Sequence, residues 1–332
     1  MIIKERNHYI PKVYLRRFLN NEEKLFIYKK GKEFFKENIT KEDRLFTIEG
    51  ENGLNVVAVK KNLYIPEDDK LEDKNIFEDF FSQEVESKYD DFIDFVENNF
   101  SNATVIFDKY GDYIIILIAS MLSRTLHSKI EMEEMYKVNF QAHNWAQSFN
   151  KERIPEMKAH LIKEFPNMTE DKLDEAVKDY LEMVKEGKFG VNLPRNLFIK
   201  HIFQNLELYG QLISGMTIQI LQCKDPYYFI TTDAPVVYFV PEEKVSFPYG
   251  HKGLGSPYVE LFFPITKNLC LLLSRKKMEV LAGLPVSKEV VAIVNYNLSN
   301  NSRDFIYSPE KADFLEEYIK NYIPYPFSFK MK

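Results

Sequence analysis

The hydrophobic period of this chain changes twice, and that switching restricts the fold more than any other feature. Up to about residue 65 apolar and polar residues alternate, as in KLFIYKKGKEFFKENI on both sides of Lys30-Gly31 and in GLNVVAVKKNLYI, the pattern of half-buried strands. From Asn75 the period lengthens: Ile76, Phe80, Phe81, Val85, Tyr89, Phe92, Ile93 and Val96 recur at helical spacing, predicting a helix over 75–100. A second long helix is expected over 111–149, and a third over 196–221. Pro166 and Thr169-Glu170-Asp171 open a further helix that Gly187 stops, an N-cap with acidic first-turn residues and a glycine at the far end. Past Pro226 short strand-like runs return (YYFITTD, PVVYFV, SPYVELFFPI, NLCLLLSR), followed by a helix from Ser287, a strand DFIYS and a helix from Pro309. Strands, then helices, then a mixed layer read as α+β rather than an alternating parallel fold. The sub-regions are 1–72, 73–224 and 225–332. With no low-complexity linker between them they are expected to form one integrated unit, with two domains as the equally weighted alternative.

Bulk properties remove several classes. With 332 residues and 45% hydrophobic content, the chain builds a core without metal or disulfide staples. Cys223 and Cys270 stand far apart among apolar neighbours and read as buried free thiols suited to a reducing cytoplasm. The most apolar run, Tyr113 to Leu122, reaches only ~15 Å as a helix and is a buried helix, not a membrane span. A net charge of −6 gives no global attraction to nucleic acid. Lys24, Lys29, Lys30, Lys32 and Lys36 crowd one segment between aromatic residues. They read as a solvated hairpin face, with single-stranded nucleic acid as the other reading.

No phosphate-binding glycine loop, nucleophile elbow, zincin helix or paired CxxC is present. Four features carry chemistry instead. His8, in NHYIPK, is an acid or base near neutral pH, or a hydrogen-bonding residue that fixes the chain entry. Arg124 emerges from the apolar helix with His127 one turn on; a buried guanidinium requires a partner, either a carboxylate such as Glu86 or an anionic ligand. Asp233, after FITT and before Ala-Pro, can orient an imidazole, hold a metal or close an Asx-turn. Asn295 to Arg303 ends a helix with short polar groups, and Arg303 suits bidentate binding of phosphate or carboxylate.

These segments also resemble a known family. Asn7-His8-Tyr9-Ile10-Pro11 with Tyr14-Leu15-Arg16-Arg17-Phe18 is similar to the HYxPxxYLRxF signature of the bacterial DUF4238 family. Thr231 to Val236 resembles its TSDNPV element, Phe263 to Asn268 its FPLSP turn, and Arg303 to Ser308 its closing R-x-x-Y-S strand. Arg124 stands where the family has Arg-Thr-Pro. Lys12, Ala234 and Leu126 depart from the family's Gln, Asn and Pro. The resemblance implies an architecture and a candidate cluster, with no reaction attached.

Convergence of His8, Arg124, Asp233 and Arg303 would assemble an acid/base, a carboxylate and two anion-holding groups. That inventory fits a cytoplasmic hydrolase of phosphate esters, of nuclease or phosphodiesterase type, acting on nucleic acid or a small phosphorylated ligand. Tyr9, Tyr14, Arg17, His127 and Asn295 are the accompanying binding candidates. Asp233 and Glu86 are the candidates to hold a divalent metal, Mg²⁺ or Mn²⁺. The competing expectation is a non-catalytic binding or scaffold protein in which the same residues form a buried polar network. Exposure discriminates: a reaction centre opens to a cleft, and a network is sealed.

Overall fold

A computed structural model describes residues 4–30, 45–67, 73–148, 153–188, 192–241 and 253–320. The described residues fall into two compact units, one running up to Ser128 and from Arg195 onward, the other from Lys129 to Pro194. The fold is α+β.

In the first unit β1 (Arg6–His8) leads through Pro11, at φ −58°, into α1 (Lys12–Arg16). The proline has no N–H to lose at a helix start, so the turn begins there at no cost. Tighter bonds from Arg17, Phe18 and Leu19 to carbonyls three residues back carry the turn to Leu19. Next come β2 (Lys24–Lys29), β3 (Leu45–Glu49), the short α2 (Gly50–Gly53) and β4 (Val59–Lys61), which pairs with β1 so that His8 faces Val59. The strand expected over 53–65 is thus only three residues long. Ala58 and Asn62 take positive φ (52° and 57°), and each reversal interrupts the extended backbone.

The helix expected over 75–100 is three pieces: α3 (Ile76–Phe81), a π-helical turn (Ser82–Glu86) and α4 (Tyr89–Asn98). The helix expected from residue 111 starts earlier, as α5 (Ala103–Ser123), because the Asn102 side chain accepts from the Val105 N–H (3.2 Å). It then breaks at Arg124. Ser120 and Ser123 donate to carbonyls of Leu117 and Ala119, competing with the helical ladder. Thr125 Oγ1 accepts from the Ser128 N–H (3.2 Å) and restarts the chain as α6 (Leu126–Ser148). As expected, Ile114, Leu117 and Ile118 of the apolar run are wholly buried. No described helix is long and apolar enough to cross a membrane.

The second unit holds the rest of α6, then α7 (Arg153–Glu164) and α8 (Glu170–Glu186). The α8 reading holds in its bounds: Thr169 precedes it, though its side chain makes no capping hydrogen bond, and Gly187 closes it at φ 64°.

The chain returns to the first unit with α9 (Arg195–Ser214). The helix expected to reach Leu221 stops there, and β5 (Thr217–Gln222) takes over, since pairing along β9 outweighs the helical pattern of TIQILQ. Two-residue β6 (Thr231–Thr232), β7 (Val237–Phe239), β8 (Glu260–Pro264), β9 (Leu269–Ser274) and β10 (Leu284–Pro285) follow. Then come α10 (Lys288–Asn301), β11 (Phe305–Ser308) and α11 (Asp313–Lys320).

The strands make a five-stranded sheet, β10-β5-β9-β8-β7, and a four-stranded sheet, β3-β2-β11-β6. In the second, two early strands meet two late ones: β11 lies between β2 and β6, with Ile306 opposite both Tyr28 and Thr232. Apolar faces of α10 and α11, through Val294, Leu298 and Leu315, pack with Phe229, Ile230 and Ile306 in one core. Cys223 and Cys270 are buried free thiols there, as expected. The Lys-rich hairpin is described only as far as Lys30, and Lys32 and Lys36 lie outside the described residues, as does the tail from residue 321. Lys30 is not on a solvated face: it is 1% exposed. Its Nζ donates to the carbonyls of Ser299, Asn300 (3.3 Å) and Ser302 (2.8 Å), closing the C-terminus of α10. Burial pushes its pKa down to about 8.

Tyr14 joins the sheets. Its hydroxyl shares a hydrogen bond with Thr231 Oγ1 of β6 (2.6 Å) and donates to the Pro264 carbonyl of β8 (2.8 Å), while its ring stacks on Phe263. Tyr14→Phe leaves two buried polar groups short of a partner and should destabilise the fold by about 1–3 kcal/mol. The check is a lower urea midpoint at unchanged slope.

Candidate functional site

His8 ends β1 and is half-buried. Its pKa is pushed below the ordinary value by burial and by the Arg124 and Arg6 charges, against an opposing pull from Glu86. The imidazole is therefore neutral at pH 7, and its Nδ1 is buried with no hydrogen-bond partner among the described residues.

Arg124 occupies the break between α5 and α6 with no exposure at all. Its Nη2 donates to Glu86 Oε1 (2.7 Å) and, at 3.4 Å, to the His8 carbonyl. The guanidinium lies 4.6 Å from the centre of the Phe81 ring, a cation–π contact that partly replaces lost hydration. Its Nε and Nη1 have no partner among the described residues. The π-helical turn brings Glu86 there: the Ser87 N–H reaches back five residues to the Ser82 carbonyl (3.0 Å), so the register shifts by one residue. The Glu86 side chain stays 27% exposed.

Three further residues complete this cluster, and of them only Asn7, beside His8 in the N-terminal motif, stood in a sequence signal. Tyr64 donates from its hydroxyl to the Arg124 carbonyl (2.8 Å), Asn7 Nδ2 donates to Glu78 Oε2 (3.1 Å), and the Glu78 carboxyl is pushed up by burial.

Asp233 belongs to a second cluster. Its Oδ1 accepts from the Arg303 N–H (3.0 Å), and its Oδ2 accepts from the N–H groups of Asp304 (2.7 Å) and Phe305 (3.3 Å). Its own N–H donates to the Phe305 carbonyl (3.2 Å). Burial pushes the carboxyl up to about 6, with the Asp304 charge adding to that and the backbone bonds and His127 opposing it. Half-buried His127, in the first turn of α6, faces this carboxylate electrostatically. Tyr9 is buried and hydrogen-bonded to Tyr307.

Direct hydrogen bonds join only some of the four expected catalytic residues, while the Asp233 charge reaches His127 and Tyr9, the near neighbours of Arg124 and His8. His8, Arg124 and Glu86 gather in one cluster, and Asp233 gathers the corner between α10 and β11 in another. Arg303 contributes a backbone N–H, whereas its guanidinium is 47% exposed and its nearest ion-pair partner is Asp304 at 3.9 Å. The binding candidates are committed within the chain too. Arg17 donates to Asp90 Oδ1 through Nε (3.1 Å) and Nη2 (2.7 Å) and to Asp94 (3.0 Å). Asn295 accepts from the Ile230 N–H (3.0 Å) and donates to the Tyr228 carbonyl (2.9 Å). Asp233 accepts backbone N–H groups on both oxygens, and Glu86 holds Arg124 through Oε1. Among the described residues no group of three or more His, Cys, Asp or Glu side chains stands together to hold a metal.

Against this geometry the family comparison can be set. The family model described as protein of unknown function (DUF4238) matches residues 6–312. The chain belongs to this family. No curated protein and no solved structure matches it. The DUF4238 match runs from β1 to the start of α11, so it takes in both clusters and the corner that Asp233 caps.

Two outcomes follow. Glu86→Gln leaves the Arg124 charge buried without a counter-ion and should cost about 3 kcal/mol, whereas Glu86→Gln with Arg124→Met should recover much of that loss; a double-mutant cycle by urea unfolding reads the difference. For His8 the folded pKa lies below 6.5. Between the two values the unfolded chain holds a proton that the folded chain lacks, so stability rises with pH through that window and is lost below it. The slope of unfolding free energy between pH 5 and 7 should flatten in His8→Gln.

Proposed function

We propose that the motif residues are a buried polar framework and that this DUF4238 protein is a non-catalytic binding or scaffold protein. One observation carries the reading: Asp233, the carboxylate expected to serve chemistry, is 3% exposed and spends both oxygens on three backbone N–H groups. The electrostatics of the other cluster agree. Arg124 is already paired with Glu86, and Glu78 adds a second carboxylate nearby, so its charge is committed within the chain rather than open to a phosphate. Its surface carries exposed aromatic residues, among them Tyr227 and Tyr258, of the kind that build interfaces.

A second reading keeps a phosphate-ester hydrolase with His8 as acid or base, using Mg²⁺ or Mn²⁺ and acting on nucleic acid or a small phosphorylated ligand. What favours it is the half-open His8 with an unpartnered Nδ1 beside Glu86 on a π-helical turn, a backbone irregularity found often at functional sites.

The test is cleavage of single- and double-stranded DNA and RNA by the purified chain with Mg²⁺, Mn²⁺ or chelator, beside His8→Ala and Asp233→Ala. The framework reading expects the parent to turn over substrate no faster than His8→Ala, and Asp233→Ala to melt several degrees lower. Turnover that His8→Ala abolishes with its circular dichroism unchanged would overturn it in favour of the hydrolase.

A further inference from the structure

A groove of about 260 Å³ opens between α3 with its π-helical turn, α5 and α9. Phe80, Ile115, Ile116, Ala119, Leu206 and Gly210 line it, and Glu84 is the one charged lining residue. The motif residues take no part in it, so it stands apart from the framework just described.

Two observations say what it takes. The first is size with charge. Apolar cavities of about 150 Å³ already hold a benzene ring, and drug-sized ligands occupy about 300 Å³ or more. This groove therefore suits one ring or short alkyl body with a small head group, and it is far too small for a protein partner's footprint. The charge at its rim is a carboxylate, which selects a cationic head. Glu84 is paired with Lys88 at 2.9 Å, but both side chains are about half exposed (51% and 50%). Such a pair contributes little and exchanges partners readily.

The second observation is Gly210. It lies well inside α9, where glycine costs about 1 kcal/mol relative to alanine. Nothing requires it there: an added Cβ would meet only Ile115 Cγ2, at an ordinary 3.8 Å. Opposite lies Ala119, also small. Side chains of ordinary size on that helix face would fill the groove; glycine and alanine leave it open.

We propose that this groove binds a small apolar molecule carrying an ammonium group, an aryl-alkyl or short alkyl amine, with the apolar body over Ala119 and Gly210 and the ammonium on Glu84.

The probe is phenethylammonium, titrated into the full chain by calorimetry and by ligand-observed NMR, beside phenylacetate, which has the same ring and the opposite charge. The expected result is saturable amine binding at least fivefold tighter than phenylacetate. Glu84→Gln should weaken it about fivefold, and Gly210→Leu should abolish it. Gly210→Leu removes a helix-weakening residue, its Cβ makes only an ordinary contact and the rest of its side chain has the groove to enter, so this variant is expected to melt at or above the parent temperature. Equal binding of amine and carboxylate, unchanged binding in Gly210→Leu, or no binding at millimolar amine each overturns the proposal. So does a dimer in sedimentation that Gly210→Leu dissolves and the amine leaves alone, which would make a second copy of the chain the occupant.

Discussion

A guanidinium with no exposure to water dictates the local architecture of the first unit. Removing such a charge from solvent costs several kcal/mol unless a counter-ion and hydrogen bonds come with it. The chain meets that requirement by bending its backbone in three places. The π-helical turn Ser82–Glu86 delivers the carboxylate, the break between α5 and α6 delivers Arg124, and the end of β1 delivers the His8 carbonyl. The irregularity that looks most like a functional site is thus also the cheapest way to neutralise one buried arginine. It has a second face as well. The same π-helical turn that points Glu86 at Arg124 lends Glu84 to the groove.

The rest of the polar interior follows the same economy. Lys30 and Asp233 approach the corner between α10 and β11 from opposite chemistry: the lysine satisfies carbonyls at the helix end, and the aspartate satisfies the N–H groups that follow. Helix ends leave such groups unpaired by construction, and a buried corner has no water to supply partners. Residues that look like an acid, a base and an anion holder when written in a line become ties between segments when folded.

Legibility in the sequence tracked how local the deciding physics is. Helix α8 was readable because Glu170 and Asp171 in its first turn and Gly187 at its end act locally. Strands β8 and β9 and helix α10 were readable because their apolar runs end at proline, glycine or serine signals. The break at Arg124 was not, since hydroxyls of Ser120, Ser123 and Thr125 compete with the helix only where a distant Glu86 makes the break worthwhile. Strand β5 was mistaken for helix because its partner β9 lies some fifty residues on. The candidate residues were named, and Glu86 was correctly weighed as the partner of Arg124. The other hydrogen bonds that hold them were not legible, because their partners come from segments distant in sequence.

The placing of β11 between β2 and β6 has a consequence for how the chain is made. Strand β2 leaves the ribosome more than 270 residues before the strand that completes its pairing. Throughout that interval one edge of β2 is without its final partner, and unpaired edges invite foreign strands. The loop that must close spans more than 270 residues, so the sheet forms late and slowly. Synthesis of this protein therefore passes through a long vulnerable stage, in which a chaperone shielding the N-terminal strands would matter more than any single contact in the finished fold.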